Sequence, residues 1–125
     1  MSASDELITR LFGRFPELSP MLEEHLADQD GELLPYLVLA DVARWAQRSF
    51  AEEPQAVGGL VDWLEEEFAR AEPAEKDLIG LGFVEVIPYR PEGAPLLARL
   101  GPELTRVAID LGMMTPIDDS CDGRL

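Results

Sequence analysis

His25 is the only imidazole in the 125 residues and Cys121 the only thiol. Cys121 stands inside Asp118-Asp119-Ser120-Cys121-Asp122-Gly123. Asp118, Ser120, Asp122 and Gly123 take the first, third, fifth and sixth positions of a calcium-binding loop. Such a loop needs a bidentate glutamate at its twelfth position, and the sequence stops at Leu125. An acidic tail that matches a short pattern is the expectation. A nucleophilic thiol requires a base and an orienting group. The only histidine is on a distant segment, so an unpaired tail thiol is expected. His25 stands beside Glu23, Glu24 and Asp28. A metal site takes three or more converging ligands, and these carboxylates read as a solvated face. No metal, cofactor or catalytic set is expected, only a partly exposed imidazole whose acidic neighbours favour its charged form.

The strip Asp41, Arg44, Arg48 and Glu52 has more to offer. On a helix Asp41 reaches Arg44 at i+3 and Arg48 reaches Glu52 at i+4. Charges on an otherwise apolar helix must be paired or wet. The favoured reading is an ion-pair seam that locks the helix among its neighbours; the alternative is the polar floor of a ligand groove. Trp45 and Trp63 read as core residues, and Glu65-Glu66-Glu67 as a solvated face.

The helix that carries the strip organises the chain. Gly31 to Phe50 is the most apolar stretch, and at 100° per residue Tyr36, Leu39, Val42, Ala43, Ala46 and Phe50 share one side. Tyr36 to Ala40 is expected to be buried nearly all round, which places this helix at the centre of a bundle. Before it, Leu7, Ile8, Leu11, Phe12 and Phe15 form a helical stripe that Pro16 stops. Ser19-Pro20 restarts a helix over about 20–28, with Met21, Leu22 and Leu26 inward and Glu23, Glu24 and Asp28 outward. Asp28 to Gly31 reads as a turn.

After it, Pro54 opens a helix whose Val57, Leu60, Val61, Leu64, Phe68 and Ala71 repeat at helical spacing. Asp62, Glu65 and Glu66 lie on its outer face, and Glu66 is four residues before Arg70. Gly58-Gly59 weakens this helix by about 1 kcal/mol per glycine, with close helix packing expected in compensation. Residues 77–87 combine β-branched residues with a short alternation that also fits a strand. A buried helix is favoured because a lone strand has nothing to pair with, with Gly80 and Gly82 admitting a neighbouring helix. Short helices over 94–100 and from Pro102 to Gly112 follow. The fold class is all-α, a compact bundle of about six short helices, with stacked helical hairpins as the alternative. Residues 1–112 form one domain and 113–125 a loose acidic tail.

Charge is the compositional outlier. Twenty-five acids against ten Lys plus Arg give −15, and residues 1–72 hold −11 of it. Nucleic-acid binding and attachment to an anionic membrane both need a basic surface and are excluded. No apolar run reaches the ~18 residues of a membrane span, and no charged start leads into an apolar run. A single cysteine allows no internal disulfide. A cytoplasmic domain with a basic protein partner is the expectation.

At Gly31 to Trp45, GELLPYLVLADVARW, the sequence resembles an uncharacterised group of small acidic bacterial proteins. Their shared pattern is close to HL…GELLPHL…DV.RW. His25-Leu26 carries the start of that match, and Leu96 to Leu104, LLARLGPEL, is a weaker second piece; together they cover about a fifth of the chain. Tyr36 stands where the pattern has histidine, so any chemistry of that histidine is absent or altered here. The resemblance lends no catalytic residues, and it implies small standalone proteins like those of bacterial toxin–immunity loci. Three function classes follow. The leading one is a non-enzymatic protein-binding module, an immunity protein that masks a basic toxin through Glu23, Glu24, Asp28, Asp62, Glu65 and Glu66. The rivals are a small-molecule or metal-dependent enzyme built on the Asp41/Arg44 strip or His25, and a regulatory or structural subunit.

Overall fold

Prolines punctuate this chain, and the helices follow them. The structure, a computed structural model, describes residues 3–88 and 92–113. Among the described residues there are seven α-helices and no strand. They are α1 (Ala3–Arg14), α2 (Ser19–Asp28), α3 (Pro35–Ser49), α4 (Pro54–Ala69), α5 (Pro73–Ile79), α6 (Ala94–Arg99) and α7 (Pro102–Asp110). Each of α2 to α7 has proline at its first or second position. There the missing N–H costs nothing and the fixed φ suits the helix. The helix α1 instead opens with Asp5 and Glu6 in its first turn, where the dipole favours anions. Six proline-led helices plus α1 give seven.

The helix α3 is central: α1, α2, α4 and α5 pack against it, as does the segment after α5. This is a compact bundle rather than a row of hairpins. Val38, Leu39, Val42 and Ala46 are fully buried, and burying such side chains is worth about 1.5–3 kcal/mol each for the larger ones. The first turn departs from expectation. Tyr36 and Leu37 are 44% and 49% exposed. Leu37 lies four residues before Asp41, seven before Arg44 and eleven before Arg48. It therefore belongs to the outward strip and not to the buried face. Tyr36 sits in the opening turn, where the helix has emerged from the 31–34 loop. Phe50 is only partly buried against the core.

Residues 77–87 are helical. α5 runs into one π turn, Gly80–Val84, closed by Glu85 N–H donating to Gly80 O at 2.9 Å. The wide turn brings backbone close to its neighbours at two glycines. A Cβ on Gly82 would lie 3.3 Å from Leu39 Cδ2, and one on Gly80 3.4 Å from Val107. The Gly58-Gly59 pair works differently from expectation. A Cβ on Gly58 would meet the Arg99 guanidinium at 2.8 Å, while Gly59 faces nothing within 4 Å. One glycine makes room for a side chain, and no helix approaches the other.

Two left-handed turns close helices. After α2, Asp30 and Gly31 have φ of 55° and 83°, and Gly31 N–H donates to Leu26 O at 2.7 Å. After α7, Gly112 at φ 80° completes a Schellman pair, its own N–H to Ile109 O and Met113 N–H to Ala108 O. That turn folds Met113 into the core at 4% exposure, so packing runs one residue past the expected domain end. The calcium-like pattern at Asp118–Gly123, with Cys121, lies outside the described residues. No helix among the described residues is long and apolar enough to cross a membrane.

Candidate functional site

The acidic face expected on α4 is mostly engaged inside the molecule. Glu65 accepts the backbone N–H groups of Glu103 at 2.7 Å and Leu104 at 3.0 Å, capping the start of α7. Asp62 takes both arms of Arg99 at 2.9 and 3.0 Å, and Arg99 also reaches Gly58 O at 3.4 Å. That guanidinium holds the Asp62 carboxyl below its usual range. Glu67, read as solvated, is only 5% exposed. It accepts from Arg10 of α1 and Arg70 of its own helix, both at 2.8 Å. The same Arg10 reaches Glu75 at 3.2 Å, and Glu75 in turn accepts the Glu72 N–H at the start of α5. Burial pushes the Glu67 carboxyl up, but the Arg70 and Arg10 hydrogen bonds outweigh it and hold the group below the ordinary carboxylate range. Arg70 thus pairs at i−3 with Glu67 and not at i−4 with Glu66. Of the α4 row only Glu66 stands clear, because α4 is flanked by α1, α5, α6 and α7 and its charges clasp them.

The α2 row has a different setting. Glu23, Glu24 and Asp28 are all exposed. Glu24 and Asp28 face α3 across a hollow of about 510 Å³, lined also by Pro20, Met21, Asp41, Arg44 and Arg48. An adjoining hollow of about 230 Å³ is lined by Glu24, His25, Asp28, Gln29, Leu37 and Asp41. The spacings explain the groove: Met21, Glu24 and Asp28 are one face of α2, and Leu37, Asp41, Arg44 and Arg48 one face of α3. Arg44 donates to Asp41 at 2.9 Å, as the sequence implied, and both side chains are about half exposed. The expected Arg48–Glu52 pair does not form. α3 ends at Ser49, and Glu52 turns back so that its N–H meets Ser49 O at 3.1 Å. The strip is the floor of a groove and no locking seam. No hydrogen bond or ion pair among the described residues joins the α2 row to the α4 row.

His25 lies under one end of this groove, buried to 5%, where a partly exposed ring was expected. It is the only buried residue of α2, and its Nε2 accepts the Leu34 N–H at 3.0 Å. A backbone N–H can only donate, so this nitrogen carries no proton and the ring is neutral with its hydrogen on Nδ1. The bond pins the 31–34 loop to α2 just before α3 begins. Among the described residues no group of three His, Cys, Asp or Glu side chains is placed to hold a metal ion.

A family model described as a domain of unknown function, DUF7674, matches residues 8–113. The chain belongs to that family. The match spans the bundle from the middle of α1 to Met113 and so includes the α2–α3 groove, the His25 bond and the clasps of α4. No curated protein matches the chain, and no solved structure does.

Within the DUF7674 span, the pairing roles of Arg10, Glu75 and Arg99 were not legible in the sequence, and Glu65 and Glu67, expected on a solvated face, are engaged. A signal existed for Glu65. Neither Gly101-Pro102 nor Leu34-Pro35 offers a capping side chain of its own, and neither helix start has one in the structure. The orphan N–H groups of such a start need acceptors from elsewhere. Glu65 and His25 supply them.

Proposed function

We propose that this DUF7674 chain is a non-enzymatic protein-binding module that captures a basic partner in the α2–α3 groove. One observation carries the reading. In a chain of net charge −15, the α4 carboxylates other than Glu66 are taken up in holding helices together, whereas Glu24 and Asp28, with Asp41 bonded to Arg44, line an open groove that ends at exposed Leu37. Carboxylates steer a basic surface in, and Leu37 with neighbouring Tyr36 supplies apolar contact once it arrives. Arg44 and Arg48 set the register by repelling cations at one end and accepting a partner's acid there. The sequence resemblance to small proteins of toxin–immunity loci makes a basic toxin the partner of choice and the module its immunity protein.

The test is association rate against a basic partner recovered by pull-down, at low and high salt. Glu24→Lys with Asp28→Lys reverses two exposed charges without touching the core. The reading expects association about tenfold slower, with the gap closing in 1 M salt, where the Debye length falls to about 3 Å. Equal rates for the two proteins at both salts would overturn it.

A further inference from the structure

We propose that His25 is a proton-operated latch on the groove, an inference that rests on reading the groove as the capture face. Two features of its place act in opposite senses. The neutral ring is held by the Leu34 N–H, which donates to Nε2 at 3.0 Å. The charged ring cannot keep that bond, because Nε2 then bears a hydrogen and two donors face each other. The hollow that His25 lines also holds Glu24 and Asp28 of α2 and Asp41 of α3, and these carboxylates attract an imidazolium. Arg44, bonded to Asp41, and Arg48 line the adjoining hollow and oppose them. The remaining acids of the adjoining segments, Glu17 of the turn before α2 and Asp30 and Glu32 of the loop, are exposed and line neither hollow. Protonation therefore exchanges one set of partners for the other.

Both consequences reach the groove. Losing the Nε2 acceptor frees the Leu34 N–H and unpins the 31–34 loop, whose far end is the first turn of α3 with Tyr36 and Leu37. An imidazolium turned toward Glu24, Asp28 and Asp41 also cancels one of the charges that draw a cation. Capture is then strong above the protonation of His25 and weak below it. An imidazole ordinarily changes charge between about pH 5 and 8, the range over which the latch is tested.

The test follows the imidazole and the Leu34 amide of the full chain by NMR from pH 8 to pH 5. Binding of a synthetic peptide of alternating arginine and leucine, N-acetylated and C-amidated so that none of its groups titrates in that range, is measured alongside. The Leu34 protection factor, already corrected for intrinsic exchange, should fall in step with His25 protonation. Peptide affinity should fall about tenfold over the same interval. His25→Gln offers an amide oxygen as acceptor that does not titrate, and should make both curves flat. An imidazole that stays neutral throughout, Leu34 protection that ignores its protonation, or a His25→Gln variant with the wild-type pH profile would overturn the latch. A protein whose Leu34 amide tracks His25 but which does not bind the peptide at any pH contradicts the capture reading alone.

Discussion

Glu65 serves α7 as a serine or aspartate N-cap would, from another helix. Losing such a cap costs about 0.5–2 kcal/mol, and Glu65→Ala should lower stability by that much in chemical denaturation. Gly101 reports on the same contact, since a Cβ there would lie 2.6 Å from the Glu65 carboxyl. The carboxyl is the far end of a flexible side chain, so Gly101→Ala should displace it and forfeit the cap instead of disrupting the core. The two substitutions together should then cost little more than either alone. Full additivity would show that Glu65 does not cap α7. Glu67 and Asp62 set the acid limit. Both carboxyls lie below their ordinary range in the folded protein, Glu67 against the pull of its burial and Asp62 through Arg99. A group depressed on folding adds stability that is complete above its unfolded value and is lost as pH falls through the folded one. Stability should therefore decline from about pH 5 downward, and Glu67→Gln should be less stable at neutral pH but lose less on acidification. Parallel declines for the two proteins would mean that Glu67 has no part in the acid transition.

At the scale of elements, α3 carries the bundle through Leu39, which the Gly82 backbone approaches. Leu39→Ala should cost roughly 2–5 kcal/mol, the range for large-to-small core changes. Gly82→Ala places a methyl 3.3 Å from Leu39 Cδ2 and 3.4 Å from Leu78 Cδ1, so it should destabilise the wild type and be better tolerated once Leu39 is shortened. Thermal melts of the two single variants and the double variant check this, and a double variant weaker than the sum of its parts would place the glycine contact elsewhere. These helices could be read from the sequence because proline and apolar spacing act locally. Pro20, Pro35, Pro54 and Pro102 mark helix starts, and the stripe of α4 names its own buried face. What escaped depends on tertiary partners. The burial of Glu67 requires Arg10, fifty-seven positions away, although its spacing from Leu60 and Leu64 puts it, unlike Glu66, beside the buried stripe of α4. The π turn after α5 lies beyond a helical template, although Gly80 and Gly82 marked the close approach. Leu37 was legible in principle: its register with Asp41, Arg44 and Arg48 puts it on the groove, and a uniformly apolar run hid that.

The whole molecule separates two kinds of acid. One kind, on α4 and α5, binds arginines and helix starts and holds the bundle closed. The other, on α2 and at Asp41, lines a groove that the fold leaves open. Of the site, the sequence showed both sides of that groove, Glu24 and Asp28 on one and Asp41, Arg44 and Arg48 on the other. It did not show that they face each other, because helix-to-helix placement is not a local property. It grouped the α2 acids with Asp62, Glu65 and Glu66 as one candidate face, of which the structure commits Asp62 to α6 and Glu65 to α7. Hydrogen exchange of the complex with the recovered basic partner tests the central claim most directly, since it reads which helices the partner covers. The account predicts slowed exchange along α2 and the first half of α3, with α4 around Glu66 and α7 unchanged. Protection centred on α4, with α2 and α3 exchanging as in the free protein, would contradict it.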